Sequence, residues 1–122
     1  MLSPTVLYIS NELADADELN RSLTRFGCDF IAHHDLGEAL AVAFLNRSVK
    51  VIILDQRHNT SANSKLSHLF KVVRPEAKLM WLYTQLPRVQ PEHIDLRLSV
   101  VNDLESIAGA IASILEPEQV AA

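Results

Sequence analysis

The sequence predicts an α/β domain built as an open, doubly wound parallel sheet of five strands. Three observations carry this. Five short apolar runs alternate with amphipathic stretches along almost the whole chain. The third run, "VKVIILD", is apolar at every position from Val51 to Leu54, as a strand buried on both faces must be. The 122 residues suffice for one ordinary domain with a real core. Right-handed crossovers then leave the open five-stranded sheet as the economical arrangement.

Each element follows from its own pattern. "TVLYIS" (Thr5 to Ser10) is β-branched and aromatic, a buried-strand signature. Leu13, Ala16, Leu19, Leu23 and Phe26 then keep helical spacing up to Gly27, a natural residue to end a helix. "CDFIAH" (Cys28 to His33) is the second strand. Asp35, with Glu38 three positions on, resembles a capping box, and it opens a helix whose apolar face is Leu36, Ala39, Leu40, Ala43 and Phe44. The third strand is Val49 to Asp55. Leu66, Leu69, Phe70 and Val73 mark a helix that should end before Pro75. "AKLMWLYT" (Ala77 to Thr84) is the fourth strand and Asp95 to Val101 a weaker fifth. Between them, "QLPRVQPEHID" contains Pro87 and Pro91 and no apolar period, so the fourth helix of a full βα series is shortened or missing. The last helix, Leu104, Ile107, Ala108, Ile111, Ile114 and Leu115, starts behind Asn102 or Asp103 and should stop before Pro117. The expected domain is residues 1–116, with 117–122 as a tail or the start of a linker.

Composition narrows the function classes. Hydrophobic residues are 48% and charged residues 21%, which is globular, and the net charge of -4 argues against direct nucleic-acid binding. One cysteine, Cys28, excludes an internal disulfide and fits a reducing cytosol. No signal-peptide pattern and no apolar run near 20 residues is present, so a cytoplasmic protein that does not enter a membrane is expected.

In an open parallel sheet the site lies beyond the carboxyl ends of the strands, near the switch in strand order. This singles out Ser10 and Asn11, His33 and His34, Asp55 to His58, Thr84, and Ser99 to Val101. The only glycines are Gly27, Gly37 and Gly109, so no phosphate-cradling loop follows the first strand. No GxSxG elbow surrounds a serine, and Cys28 begins a strand, at the wrong edge for a nucleophile. Cys28 is expected to be a small core residue. His33, His34 and His58 have no metal-ligand spacing, and His68 and His93 have no cluster around them. No nucleophile–base–orienter set converges on the sheet edge, so the protein is not expected to be an enzyme.

Asp55 ending the third strand in "VIILDQRH" and Thr84 ending the fourth in "WLYTQ", within this βα order, resemble the receiver domain of two-component response regulators, a flavodoxin-like (βα)5 fold. The resemblance covers Thr5 to Leu115. It implies that Asp55 stands at the phosphoacceptor position and Thr84 at the position that hydrogen-bonds the phosphoryl group. It also implies an acidic pair after the first strand to hold magnesium, where this chain has Ser10 and Asn11, with Glu12 next. The family's lysine after the fifth strand falls on Val100, and its aromatic switch residue on Arg97. Neutral ligands weaken a magnesium site, and an apolar residue removes the positive clamp on a phosphate. No cofactor is expected, and any magnesium binding should be weak.

The expected function is therefore that of a degenerate receiver, a regulatory signal-transduction domain that acts through protein contacts and independently of phosphorylation. It could serve as the N-terminal module of a transcription regulator. The expected contact is a partner protein or a second copy, through Thr84–Val101 and the last helix. Two other readings fit the same residues. One is a receiver still phosphorylated on Asp55 by a sensor histidine kinase or small phosphodonor. The other is a nucleotide second-messenger module using Arg57, Arg74, Arg88 or Arg97.

Overall fold

In the computed structural model, residues 3–10, 16–55, 64–83, 93–99 and 104–121 are described. The strands are β1 (Thr5–Ile9), β2 (Asp29–His33), β3 (Val49–Asp55), β4 (Lys78–Tyr83) and β5 (Leu96–Ser99). The helices are α1 (Ala16–Thr24), α2 (Leu36–Leu45), α3 (Ser64–Val73) and α4 (Leu104–Ala121). All strand pairs are parallel, in the order β2-β1-β3-β4-β5. The expected doubly wound sheet is present. Four helices accompany it among the described residues, and none of them lies between β4 and β5.

The sheet separates two cores. On one face Val6, Tyr8, Val51, Ile53, Met80 and Leu82 pack under α1 and α4. On the other, Leu7, Ile9, Ile52, Leu54, Leu79 and Trp81 pack under α2 and α3. Strict alternation would put Val49 on the same face as Val51. Instead Val49 joins the α2/α3 core, because the β1–β3 register shifts there: Thr5 pairs with Val49 and Val6 with Val51. The skipped residue, Lys50, is a bulge that flips the start of β3.

Several local expectations are corrected. The first helix ends at Thr24, and Phe26 lies exposed in the turn that follows. Gly27, at φ +75, supplies the left-handed residue of this turn, and its amide bonds the Thr24 carbonyl. Asp35 caps α2 by accepting the Glu38 amide at 3.0 Å. Glu38 does not reciprocate; its carboxylate lies 3.3 Å from His33 Nδ1. The buried face of α2 is Ala39 and Ala43, while Leu36 and Phe44 are exposed. Ala39 and Ala43 face the sheet, Leu40 and Val42 pack partly buried against the same core, and Leu36 and Phe44 lie outside it. Leu69 of α3 is likewise exposed, and buried Ser67 and Phe70 face inward. The last helix does not stop before Pro117 but runs through it to Ala121. Proline's fixed φ is compatible with a helix and costs one amide donor. The residues expected as a tail, up to Ala121, thus continue α4.

Two polar clusters tie elements together away from the strand ends that bear Asp55. Arg74 follows α3 and is buried, with Nε donating to the Ala43 carbonyl at 2.9 Å and Nη2 to the Phe44 carbonyl at 2.7 Å. Its remaining arm meets Glu76 at 3.0 Å. Terminal helix carbonyls lack intrahelical partners, and a guanidinium fork satisfies two of them while complementing the helix dipole. At the start of β4, Asp95 Oδ2 accepts the Leu79 amide at 2.8 Å and the Lys71 ammonium at 2.8 Å. Burial alone would push the Asp95 carboxyl up, but the Lys71 and Leu79 hydrogen bonds, with the charges of Lys71 and Lys78, hold it below its usual value.

Replacing Arg74 by Met should strip two α2 carbonyls of charged donors and destabilise the fold by about 2 kcal/mol in urea titration. Lys at this position should recover only part, since an ammonium cannot reproduce the fork. For Asp95, a lowered carboxyl pKa stabilises the fold above the unfolded-state value of about 4 and stops doing so as pH falls through the folded value. Asp95→Asn should therefore be less stable than the parent at neutral pH, and the gap in melting temperature should close below about pH 4.

Candidate functional site

β1 and β3 adjoin at the point where the strand order reverses, the place where open parallel sheets carry their sites. The β1–β3 register pairs Ile9 with Leu54, which brings Ser10 and Asp55 to this edge together. Both are buried, Ser10 at 4% and Asp55 at 3% exposure. The Ser10 amide also bonds the His33 carbonyl at 3.2 Å, which extends the β1–β2 pairing one residue further. The edge predicted from the sequence is thus assembled from the ends of β1, β2 and β3.

A carboxylate this deeply buried needs donors, because removing an ion from water is costly without them. Tyr8 provides one: its hydroxyl donates to Asp55 Oδ2. The geometry follows from strand spacing. Tyr8 pairs with Ile53, so Asp55 lies two residues, about 6.6 Å, further along the neighbouring strand. Both side chains project from the α1/α4 face, and a phenol is long enough to cover that interval. The Tyr8 ring is 1% exposed and stacks on Phe30 with centroids 5.9 Å apart. Core packing therefore fixes the hydroxyl under the carboxylate. The sequence reading missed Tyr8. The available signal was a phenol in the aliphatic run "TVLYIS", since a buried tyrosine hydroxyl normally requires a partner.

The other predicted positions are placed unequally. Asn11, Glu12, Thr84 and Val100 lie outside the described residues, as do Arg57, His58 and Arg88. Arg97 sits on β5, exposed, in register with Trp81. Arg74, one of the four candidate anion-binding arginines, is engaged by α2 instead. Cys28 is buried, as expected, and burial, with the nearby Asp29 carboxylate, raises its thiol pKa. His68 and His93 do have a neighbour: each other, with ring centroids 5.4 Å apart. The two come from α3 and the approach to β5, which the fold brings together and sequence separation hid.

A magnesium site does not fit what the described residues offer. Ser10 is neutral, and one Asp55 oxygen already accepts a phenol proton. Magnesium needs hard, largely anionic oxygens in near-octahedral geometry. Among the described residues no three His, Cys, Asp or Glu side chains form a group able to hold a metal. Among the same residues no helix is long and apolar enough to cross a membrane.

No family model and no curated protein matches the chain. Solved structures do. A CheY-like response regulator receiver domain protein from Methanospirillum hungatei superposes with a TM-score of 0.77 at 15% identity, covering 99% of this chain and 100% of that one. A response regulator from Burkholderia pseudomallei, solved with a phosphorylated aspartic acid, calcium ion and citrate, gives 0.72 at 23% identity over 96% of this chain and 73% of that one. An orphan response regulator of H. pylori gives 0.76 at 12% identity over 93% and 97%. With five parallel strands in the order β2-β1-β3-β4-β5 and near-complete coverage by these structures, the chain has the receiver-domain fold of two-component response regulators.

Proposed function

We propose that this domain is a regulatory module of signal transduction, a degenerate receiver that works through protein–protein contact and not through phosphorylation of Asp55. The observation that carries the reading is the setting of Asp55. The carboxylate is kept, buried, at the switch point, while the neighbouring strand end offers neutral Ser10 in place of an acidic residue. In the sequence, Asn11 and Val100 replace the second acid and the lysine that the receiver resemblance implies. Phosphoryl transfer to a carboxylate depends on neutralising charge around the phosphoryl oxygens, because the nucleophile itself is weak. Without that charge, the position outlasts the chemistry. On this reading the domain is a regulator and not an enzyme, and we propose the cytoplasm as its place, as its single cysteine suggests.

A receiver still phosphorylated on Asp55 is the second reading, favoured by the position of the carboxylate at the end of β3, where the strand order reverses. The nucleotide-sensing alternative loses Arg74, whose guanidinium caps α2. The contact surface proposed is Thr84–Val101 with the last helix, engaging a partner protein or a second copy. The domain would then transmit to an attached or separate output, of which a transcription activator is one form.

Incubation with acetyl phosphate and magnesium should leave the intact mass unchanged. A phosphoryl adduct present in the parent and absent from Asp55→Asn would overturn the proposal. For the contact, sedimentation should show a concentration-dependent dimer that weakens on substitution within residues 93–99. A monomer at all concentrations would exclude the second copy as the occupant.

A further inference from the structure

The structure assigns to Tyr8 a role beyond packing: its hydroxyl is the built-in ligand of Asp55, occupying the carboxylate oxygen that a metal ion would otherwise need. This deepens the phosphorylation-independent reading and rests on it, since it says what holds the carboxylate once metal and phosphate chemistry are gone.

Three observations converge. The donor is the Tyr8 hydroxyl and the acceptor is Oδ2 of Asp55, across 47 residues of sequence and between adjacent central strands. Both groups are buried, so the bond is made in a low-dielectric site where an alternative partner from bulk water is excluded. The ring has no freedom to withdraw: it lies in the core formed by Val6, Val51 and Ile53 with α1 and α4, and stacks on Phe30. A cation approaching Oδ2 would have to displace a phenol whose other end is wedged into that core. A phenol is a neutral donor, whereas a metal ion would bring positive charge to the site. The site is thus satisfied for burial yet remains unsuited to gather the negative charge of a phosphoryl group.

The arrangement has a directional consequence. Tyr8→Phe keeps the ring and removes only the hydroxyl, so it takes this donor from Oδ2 without emptying the core. Manganese serves as the probe, because its paramagnetism broadens the NMR signals of residues near the ion. Tyr8→Phe should bind manganese at the Ile9, Ser10 and Leu54 end of the sheet at least tenfold more tightly than the parent. The gain should vanish in the double variant with Asp55→Asn. If Tyr8→Phe, folded by its amide spectrum, binds no more tightly than the parent, the assignment is wrong.

A second measurement needs no variant to bind anything. The Tyr8 hydroxyl proton of the parent should exchange slowly enough to be seen in the NMR spectrum and should disappear from it in Asp55→Ala. Its absence from the parent spectrum would also overturn the assignment. Acetyl phosphate treatment separates the two proposals. A parent that takes up phosphate while Tyr8→Phe takes up tenfold more refutes phosphorylation independence and keeps the Tyr8 role. A parent and variant equally inert to manganese and to phosphate refute the Tyr8 role and keep phosphorylation independence.

Discussion

A carboxylate at 3% exposure on the central strand is the constraint around which this molecule is arranged. β3 must be apolar on both faces to sit between β1 and β4, yet it ends in an ion that the same burial penalises. The conflict is met by the strand beside it. β1 offers a phenol two residues short of the acid, and the parallel register makes that offset equal to the reach of the side chain. Shifting β1 by one residue would put Tyr8 on the opposite face and leave Asp55 without this donor. The register of the central pair and the satisfaction of Asp55 are therefore one requirement.

The two faces of the sheet divide the work differently. Under α1 and α4 the core is continuous from Leu19 and Leu23 through Tyr8 to Ile107 and Ile111, so the Tyr8 ring that meets Asp55 is backed by packed helices. Under α2 and α3 the core holds Phe70 and Trp81 beside the alanines of α2. Alanines face the sheet, Arg74 clamps the end of α2, and Phe44, Leu45 and Val72 remain on the surface. The Lys71–Asp95 pair then ties α3 to the strand ends opposite Asp55. The molecule is braced by charge at one end of its strands and holds the buried Asp55 at the other.

Much of this was legible from residue patterns. Strand identity followed from apolar runs with β-branched residues, because burial on both faces leaves no room for polar alternation. Helix existence followed from spacing at three and four. Buried faces were less legible. Leu36, Phe44 and Leu69 have the right hydrophobicity for a core, but how closely a helix approaches the sheet decides whether Ala or Leu faces it. The end of α4 was misjudged because a proline lowers helix propensity without forbidding the conformation.

The apolar run that ends in Asp55, the residue types at positions 10, 11 and 100 and the order of the elements were set by the sequence alone, since they depend on residue type and on periods of two and 3.6. Tertiary structure decided which groups meet. Tyr8 and Asp55 are 47 residues apart, His68 and His93 belong to different elements, and Arg74 reaches carbonyls thirty residues back. No local pattern encodes such pairs. They follow from strand order and register, which are fixed only when both faces of the sheet are covered.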